Sequence, residues 1–209
     1  MKILLSSAYF APLGYFTAIK NSSIIYVEQY ENFGKQSYRN RCEIMTTNGV
    51  IALTVPVDKA NSKTLIKDLK INYAVDWQKI HKRSIESAYR NSPYYDYYID
   101  DILHFFENKE RFLIDLNNKI TQTLLDILQI KKEIKPTPDF IGQENSDILT
   151  GNILDLRQTF HPKANKRVNN LEIEYKPYHQ TFSERIEFTP NLSILDLIFC
   201  CGPEAHIIL

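Results

Sequence analysis

Large apolar residues run without interruption at Ile3-Leu4-Leu5, recur at helical spacing at Leu13, Phe16 and Ile19, and cluster again from Ile24 to Val27. A short continuous apolar run predicts a buried strand over residues 2–8, and Pro12 suits the first position of a following helix. Ile24 to Glu28 is a second β-rich run, so residues 1–28 form a strand-helix-strand unit whose strands would pair in parallel. Arg41 to Met45 and Val50 to Val57 flank Thr46-Thr47-Asn48-Gly49. Asn-Gly between two apolar runs predicts a hairpin, because both residues accept positive φ. Leu69, Ile71 and Tyr73, alternating with Lys70 and Asn72, predict a further strand.

The period then changes. Asp76 is placed to cap a helix from Trp77 to about Asn91, and Ser92-Pro93 reads as a stop and restart. Ile102, Phe106, Leu113, Leu116, Ile120, Leu124 and Ile127 keep helical spacing, as one helix or as two broken near Asn108-Lys109-Glu110. Lys131 to Pro138 is a charged, proline-bearing exit, and Leu171, Ile173 and Tyr175 alternate with Glu172 and Glu174 as in a strand. Pro190 to Phe199 predicts a capped helix ended by Gly202-Pro203. The pattern predicts an α/β (or α+β) fold in a single domain over 1–209, sheet-rich at 1–75, helical at 76–131 and mixed at 132–209. The strand-helix-strand unit and the Asn-Gly hairpin would form a mixed sheet packed against the helical middle and C-terminal parts.

Composition narrows the function classes. The 25 Lys and Arg balance 25 Asp and Glu, which argues against a dedicated nucleic-acid binder. No run approaches the length needed to span a bilayer, and three cysteines form neither an even disulfide framework nor a C-x-x-C pair. These features predict a cytoplasmic protein. The five histidines are dispersed without metal-ligand spacing, so no metal is expected, and the absence of G-x-G-x-x-G, G-x-x-x-x-G-K-[ST] and G-x-S-x-G leaves no cofactor indicated.

Neutrality is a sum over segregated patches. Lys35, Arg39 and Arg41 leave residues 35–41 at +3, and residues 79–90 are also at +3, whereas residues 96–110 are at −4. A polar loop carrying Lys35, Gln36, Ser37, Arg39, Asn40 and Arg41 suits a phosphate or carboxylate, because guanidinium forks bind either in bidentate fashion. A solvated edge loop offset by Glu28 and Glu31 is the alternative. On the helix from Trp77, Arg83, Glu86 and Arg90 share one stripe, and Tyr89 lies beside them. His81 is the best general-base candidate because imidazole titrates near neutral pH, although a lone histidine is more often structural. His179 in a polar-aromatic cluster, Asn191 at a helix start and Asp196 on an otherwise apolar helix complete the candidates. An unpartnered carboxylate there would be costly, so an arginine partner is expected. Cys42 sits in a strand and reads as core.

Tyr9-Phe10-Ala11-Pro12-Leu13-Gly14-Tyr15-Phe16, the segment Lys35 to Arg41, Asn48-Gly49 leading to Leu53-Thr54-Val55-Pro56-Val57, the segment His81 to Arg90, and Asn191 to Leu197 together resemble the WbqC-like family in order along nearly the whole chain. One departure is Ser6-Ser7-Ala8, where many members carry His-Gln-Pro. The resemblance implies a role in bacterial surface-polysaccharide (O-antigen-type) biosynthesis. The expected activity is a transferase moving an aminoacyl group such as glycine onto a nucleotide- or lipid-linked amino sugar, with a noncatalytic binding or scaffold protein of the same pathway as the alternative. The expected partner is a small molecule, phosphate-bearing or sugar-linked, rather than nucleic acid.

Overall fold

The structure, a computed structural model, describes residues 1–61, 63–142, 153–162 and 173–209. Ile3, Leu4 and Leu5 are buried on both faces of β1 (Lys2–Ser6), as expected of a strand inside a parallel sheet. The short helix α1 (Leu13–Lys20) returns the chain to β2 (Ile24–Glu28), which pairs in parallel with β1, Leu5 opposite Val27 and Ser6 opposite Glu28. Two three-residue strands from the polar later part of the chain complete the sheet. β5 (Ile134–Pro136) lies outside β2 and β6 (Ile153–Asp155) lies on the other side of β1, giving the order β5-β2-β1-β6 with every pair parallel.

The hairpin forms as its turn chemistry demands: β3 (Arg41–Thr46) and β4 (Gly49–Thr54) pair antiparallel, with Gly49 at φ 102°. It does not join the parallel sheet as a mixed sheet. The outer edge of β3 is engaged elsewhere, since Ser193 N–H donates to the Glu43 carbonyl at 2.8 Å and Met45 N–H to the Tyr89 hydroxyl at 3.4 Å. The strand expected at 69–73 is instead held by single bridges, Ile71 to Val57 and Lys70 to Phe112. In the strand expected at 171–175, Leu171 and Glu172 lie outside the described residues, and Ile173 to Tyr175 are not in a strand.

Helix α2 (Trp77–Tyr89) starts where expected, Asp76 accepting a bond from Lys79 N–H, and buries Trp77, His81, Ile85, Ala88 and Tyr89. The next apolar run is two helices, α3 (Tyr95–Leu103) and α4 (Leu113–Ile127), separated by a 3-10 turn at His104–Phe106. Helix α5 (Ile194–Cys201) is buried nearly all round, capped by the Ser193 hydroxyl, which also donates to the Phe10 carbonyl at 2.9 Å. The short α6 (Ala205–Ile208) follows. Side chains of β1, α1, β2, the hairpin and helices α2 to α6 share one continuous apolar cluster.

Gly202 ends α5 at φ 51°, and a Cβ there would lie 2.4 Å from the Tyr94 ring. Gly202→Ala is therefore expected to lower stability by about 1–3 kcal/mol, seen as an earlier urea midpoint with an unchanged slope. A variant with the wild-type midpoint would show that the C-terminal end of α5 is not tightly packed.

Candidate functional site at the carboxyl edge of the parallel sheet

All four strands run the same way, so Ser6, Glu28, Pro136 and Asp155 end on one edge of the sheet. In open parallel sheets this edge is where ligands sit. The chain leaves β1 through Ser7 and Ala8 and leaves β2 through Gln29; Tyr15 of α1 folds back to donate its hydroxyl to the Ser6 carbonyl at 3.0 Å. Helix α4 passes across and contributes Asn118, Thr121 and Gln122. Between them is a cavity of about 170 Å³, its polar lining Ser7, Tyr15, Gln29, Asn118, Thr121 and Gln122 and its apolar lining Ala8, Val27, Ile134 and Pro136. The Ser7 hydroxyl accepts from Asn117 Nδ2 at 2.8 Å, which leaves its own proton to donate. Asn117 Nδ2 also donates to the Arg39 carbonyl at 2.8 Å, while its Oδ1 is buried without a partner among the described residues.

A much smaller cavity of about 10 Å³, near the size of one water, shares Ser7, Ala8 and Tyr15 and is walled by Tyr38, Arg39, Arg157 and Phe160. Both arginines are committed to carboxylates. Arg39 grips Glu31 in bidentate fashion, Nε to Oε1 at 2.8 Å and Nη2 to Oε2 at 2.5 Å, and Nη2 also donates to the Ser6 hydroxyl at 2.9 Å. Glu28 has no solvent exposure. Its Oε1 accepts from Tyr30 N–H and the Thr137 hydroxyl, both at 2.9 Å, and its Oε2 from Ile141 N–H at 2.9 Å and Arg157 Nη1 at 3.3 Å. Arg157 also holds Asp155 through Nε at 3.0 Å and Nη2 at 2.6 Å. Three carboxylates against two guanidiniums make this lattice a scaffold rather than an open anion clasp.

The residues singled out from the sequence do not share one pocket. Of residues 35–41, Tyr38 and Arg39 line the smaller cavity. Lys35 and Gln36 are exposed; the Ser37 hydroxyl donates to the Gly34 carbonyl at 2.6 Å; Asn40 Nδ2 donates to the Val55 carbonyl at 2.9 Å; and Arg41 pairs with Glu43 at 3.4 Å. Arg83, Glu86 and Arg90 lie on the outer face of α2 around a shallow, open groove, with Glu86 and Arg90 3.5 Å apart. His179 is exposed and bonded to the Ser183 hydroxyl, and Asn191, at φ 60°, accepts from Gly14 N–H at 3.0 Å.

Asp196 and Tyr89 are fully buried. The expected arginine is not the partner of Asp196: its Oδ2 accepts from the Tyr178 hydroxyl at 2.7 Å and from Gln180 Nε2 at 2.9 Å. Burial raises the Asp196 carboxyl pKa, and the hydrogen bonds from Tyr178 and Gln180 oppose that rise. Neutral donors serve its Oδ2 without the desolvation cost of a second charge, while Oδ1 is buried with no hydrogen-bond partner among the described residues. The Cys42 thiol is buried in β3 and is pushed well up by desolvation and by Glu43.

His81 is 3% exposed, packed among Trp77, Phe106 and Tyr9, and lines none of these cavities. Its Nδ1 bonds the Tyr9 hydroxyl at 2.8 Å. Burial lowers its pKa to about 4, against the opposing effect of the nearby Thr54 main chain. A general base must reach a substrate proton, and this ring is held inside the core. Ser7, Tyr15, Gln29, Asn118, Thr121 and Gln122 were not singled out from the sequence. Of the Ser6-Ser7-Ala8 segment, Ser7 and Ala8 form part of the wall of the larger cavity.

Fold and cavity define an α/β protein with its candidate site on the carboxyl edge of a four-stranded parallel sheet. The WbqC-like protein family matches residues 7–208, and the chain belongs to that family. A curated protein of Mycobacterium tuberculosis (strain ATCC 25618 / H37Rv), named "Uncharacterized protein Rv1507c", is 26% identical over 226 residues, covering 97% of this chain and 94% of that protein. No solved structure gives a significant match. No helix among the described residues is long and apolar enough to cross a membrane.

Removing one partner of a buried ion pair strands the other charge. Arg39→Ala is expected to cost about 3–5 kcal/mol in urea unfolding, and Arg39→Met combined with Glu31→Leu to recover most of it. A loss under 1 kcal/mol for Arg39→Ala, about what an exposed pair shows, would contradict the burial of this pair. His81 gives a pH signature. Its folded pKa lies below the unfolded 6.5, so the unfolded state binds more protons between pH 6.5 and about 4. The stability contribution is present above pH 6.5 and is lost as pH falls through about 4, up to about 3 kcal/mol in all. His81→Gln should remove that loss, read as the difference between the stability-versus-pH curves of variant and wild type.

Proposed function

We propose that the chain acts in bacterial surface-polysaccharide biosynthesis and holds the ring of an amino sugar in the 170 Å³ cavity, as acceptor for a small acyl group such as glycyl. The observation that carries this reading is the lining. Every polar side chain in it is an amide or hydroxyl, set against the apolar Ala8, Val27, Ile134 and Pro136. Neutral donors and acceptors in close array, with an apolar patch, match a hydroxyl-bearing and acylamido-bearing ring. A volume below the usual range for drug-sized ligands leaves a nucleotide or lipid carrier outside the cavity. Family membership supports the pathway assignment. A noncatalytic sugar-binding role in the same pathway is favoured by one specific observation: among the lining residues the only ionisable group is Tyr15, and burial raises its hydroxyl pKa.

Thermal shift and calorimetric titration against hexoses, hexosamines and N-acylated hexosamines, free and diphosphate-linked, test the reading. Saturable binding of at least one amino sugar, weakened about tenfold or more by Thr121→Val or Asn118→Ala with the fold intact, is expected. Binding unaffected by either substitution would place the ligand elsewhere, and no binding of any panel member would remove the sugar assignment. Acyl transfer to a bound amino sugar then separates the transferase from the noncatalytic binder.

A further inference from the structure

The β3–β4 hairpin has one covered edge and one open edge. The two-residue loop Thr47-Asn48 makes Thr46 and Gly49 a hydrogen-bonded pair, so alternation in the ladder makes Ile44–Ile51 and Cys42–Leu53 hydrogen-bonded pairs as well. The Val55 N–H donating to the Asn40 carbonyl at 2.7 Å continues the same phase. Glu43 and Met45 therefore turn their main-chain groups away from β4, and Ser193 and the Tyr89 hydroxyl engage them. The equivalent positions on β4 are Val50 and Ala52. Among the described residues no hydrogen bond reaches their outward N–H and C=O groups. Beyond them, the Thr54 main chain lies beside the His81 ring, which ends the open stretch.

Open edges in native proteins are usually blunted by a lysine, a proline or a bulge. Gly49-Val50-Ile51-Ala52-Leu53-Thr54 has none of these, and Val50 and Ile51 are 45% and 37% exposed. We propose that β4 pairs antiparallel with β4 of a second copy of this chain about a twofold axis through Ile51. Val50 then stands opposite the partner's Ala52, and Ala52 opposite the partner's Val50. Each of these two pairs exchanges two main-chain hydrogen bonds, joining the hairpins into a four-stranded sheet. A second copy is the occupant because a twofold pairing brings the strand against itself, and a strand without charge meets itself without repulsion. Ile51 packs on the partner's Ile51, covering the most apolar part of the edge. One short strand per protomer is a small contact, so the dimer exchanges readily and its population follows protein concentration.

Sedimentation velocity across low to high micromolar protein tests this. The weight-average mass is expected to rise from the 24.5 kDa of the chain toward twice that value. Ile51→Lys sets two ammonium groups against each other, and Ala52→Pro deletes an N–H that the hairpin itself does not use. Each is expected to weaken association about tenfold or more while far-UV circular dichroism stays unchanged. If Ala52→Pro fails to fold, Ile51→Lys alone decides. A wild-type protein that stays at monomer mass throughout, or a dimer that folded Ile51→Lys leaves intact, overturns the proposal.

Discussion

A carboxylate without solvent contact at the end of β2 is the constraint on which the rest of this structure turns. Glu28 must find donors for both oxygens, because an uncompensated buried charge is among the most costly defects a fold can contain. It finds them in Tyr30, in Thr137 and Ile141 beyond β5, and in Arg157 beyond β6. One side chain thus ties the exits of β2, β5 and β6 to a common point. The two outer strands contribute only three ladder residues each and carry polar neighbours, so their pairing alone would be weak. The second buried pair, Arg39 with Glu31, does the same for the loop that follows β2 and binds it to Ser6 at the end of β1.

This scaffold shapes what the edge can bind. Arg39 and Arg41, which a count of charges along the chain would assign to an anionic ligand, are paired with Glu31 and Glu43. The cavity beside them is walled by amides, hydroxyls and apolar side chains. Hydrogen-bond geometry is what such a wall can discriminate, which is why the ligand proposed for it is a polar ring. Ser7 is the joint between the two parts, accepting from Asn117 and facing both cavities.

Features governed by local chemistry were legible in the sequence. The parallel strand-helix-strand start follows from a continuous apolar run and a proline-led helix; Asn48-Gly49 marks the hairpin, Asp76 the cap of α2, and Gly202 the end of α5. What escaped is non-local. Ile134 to Pro136 and Ile153 to Asp155 are too short and too polar to carry a period, and they become strands because β2 and β1 offer edges and Glu28 holds their exits. The alternation at 69–73 is a genuine pattern, yet Val57 and Phe112 meet it at single bridges instead of a ladder. The cavity is hard to read from the sequence for a related reason. Charge density at 35–41 is visible, whereas its neutralisation depends on Glu31 folding back onto Arg39, and the cavity depends on α4 crossing the ends of β1 and β2. His81 and Asp196 stand out in the sequence as unusual positions, but their partners, Tyr9, Tyr178 and Gln180, lie outside their own helices.

The central claim is that ligand chemistry resides where β1 and β2 end beneath α4, with the ionic lattice as support. Hydrogen-deuterium exchange with and without a saturating N-acylated hexosamine tests it most directly. The account predicts ligand-dependent protection at residues 6–8, 27–29 and 117–122. Protection of the outer face of the 35–41 loop or of the α2 face around Arg83 and Arg90, with those three segments unchanged, would contradict it.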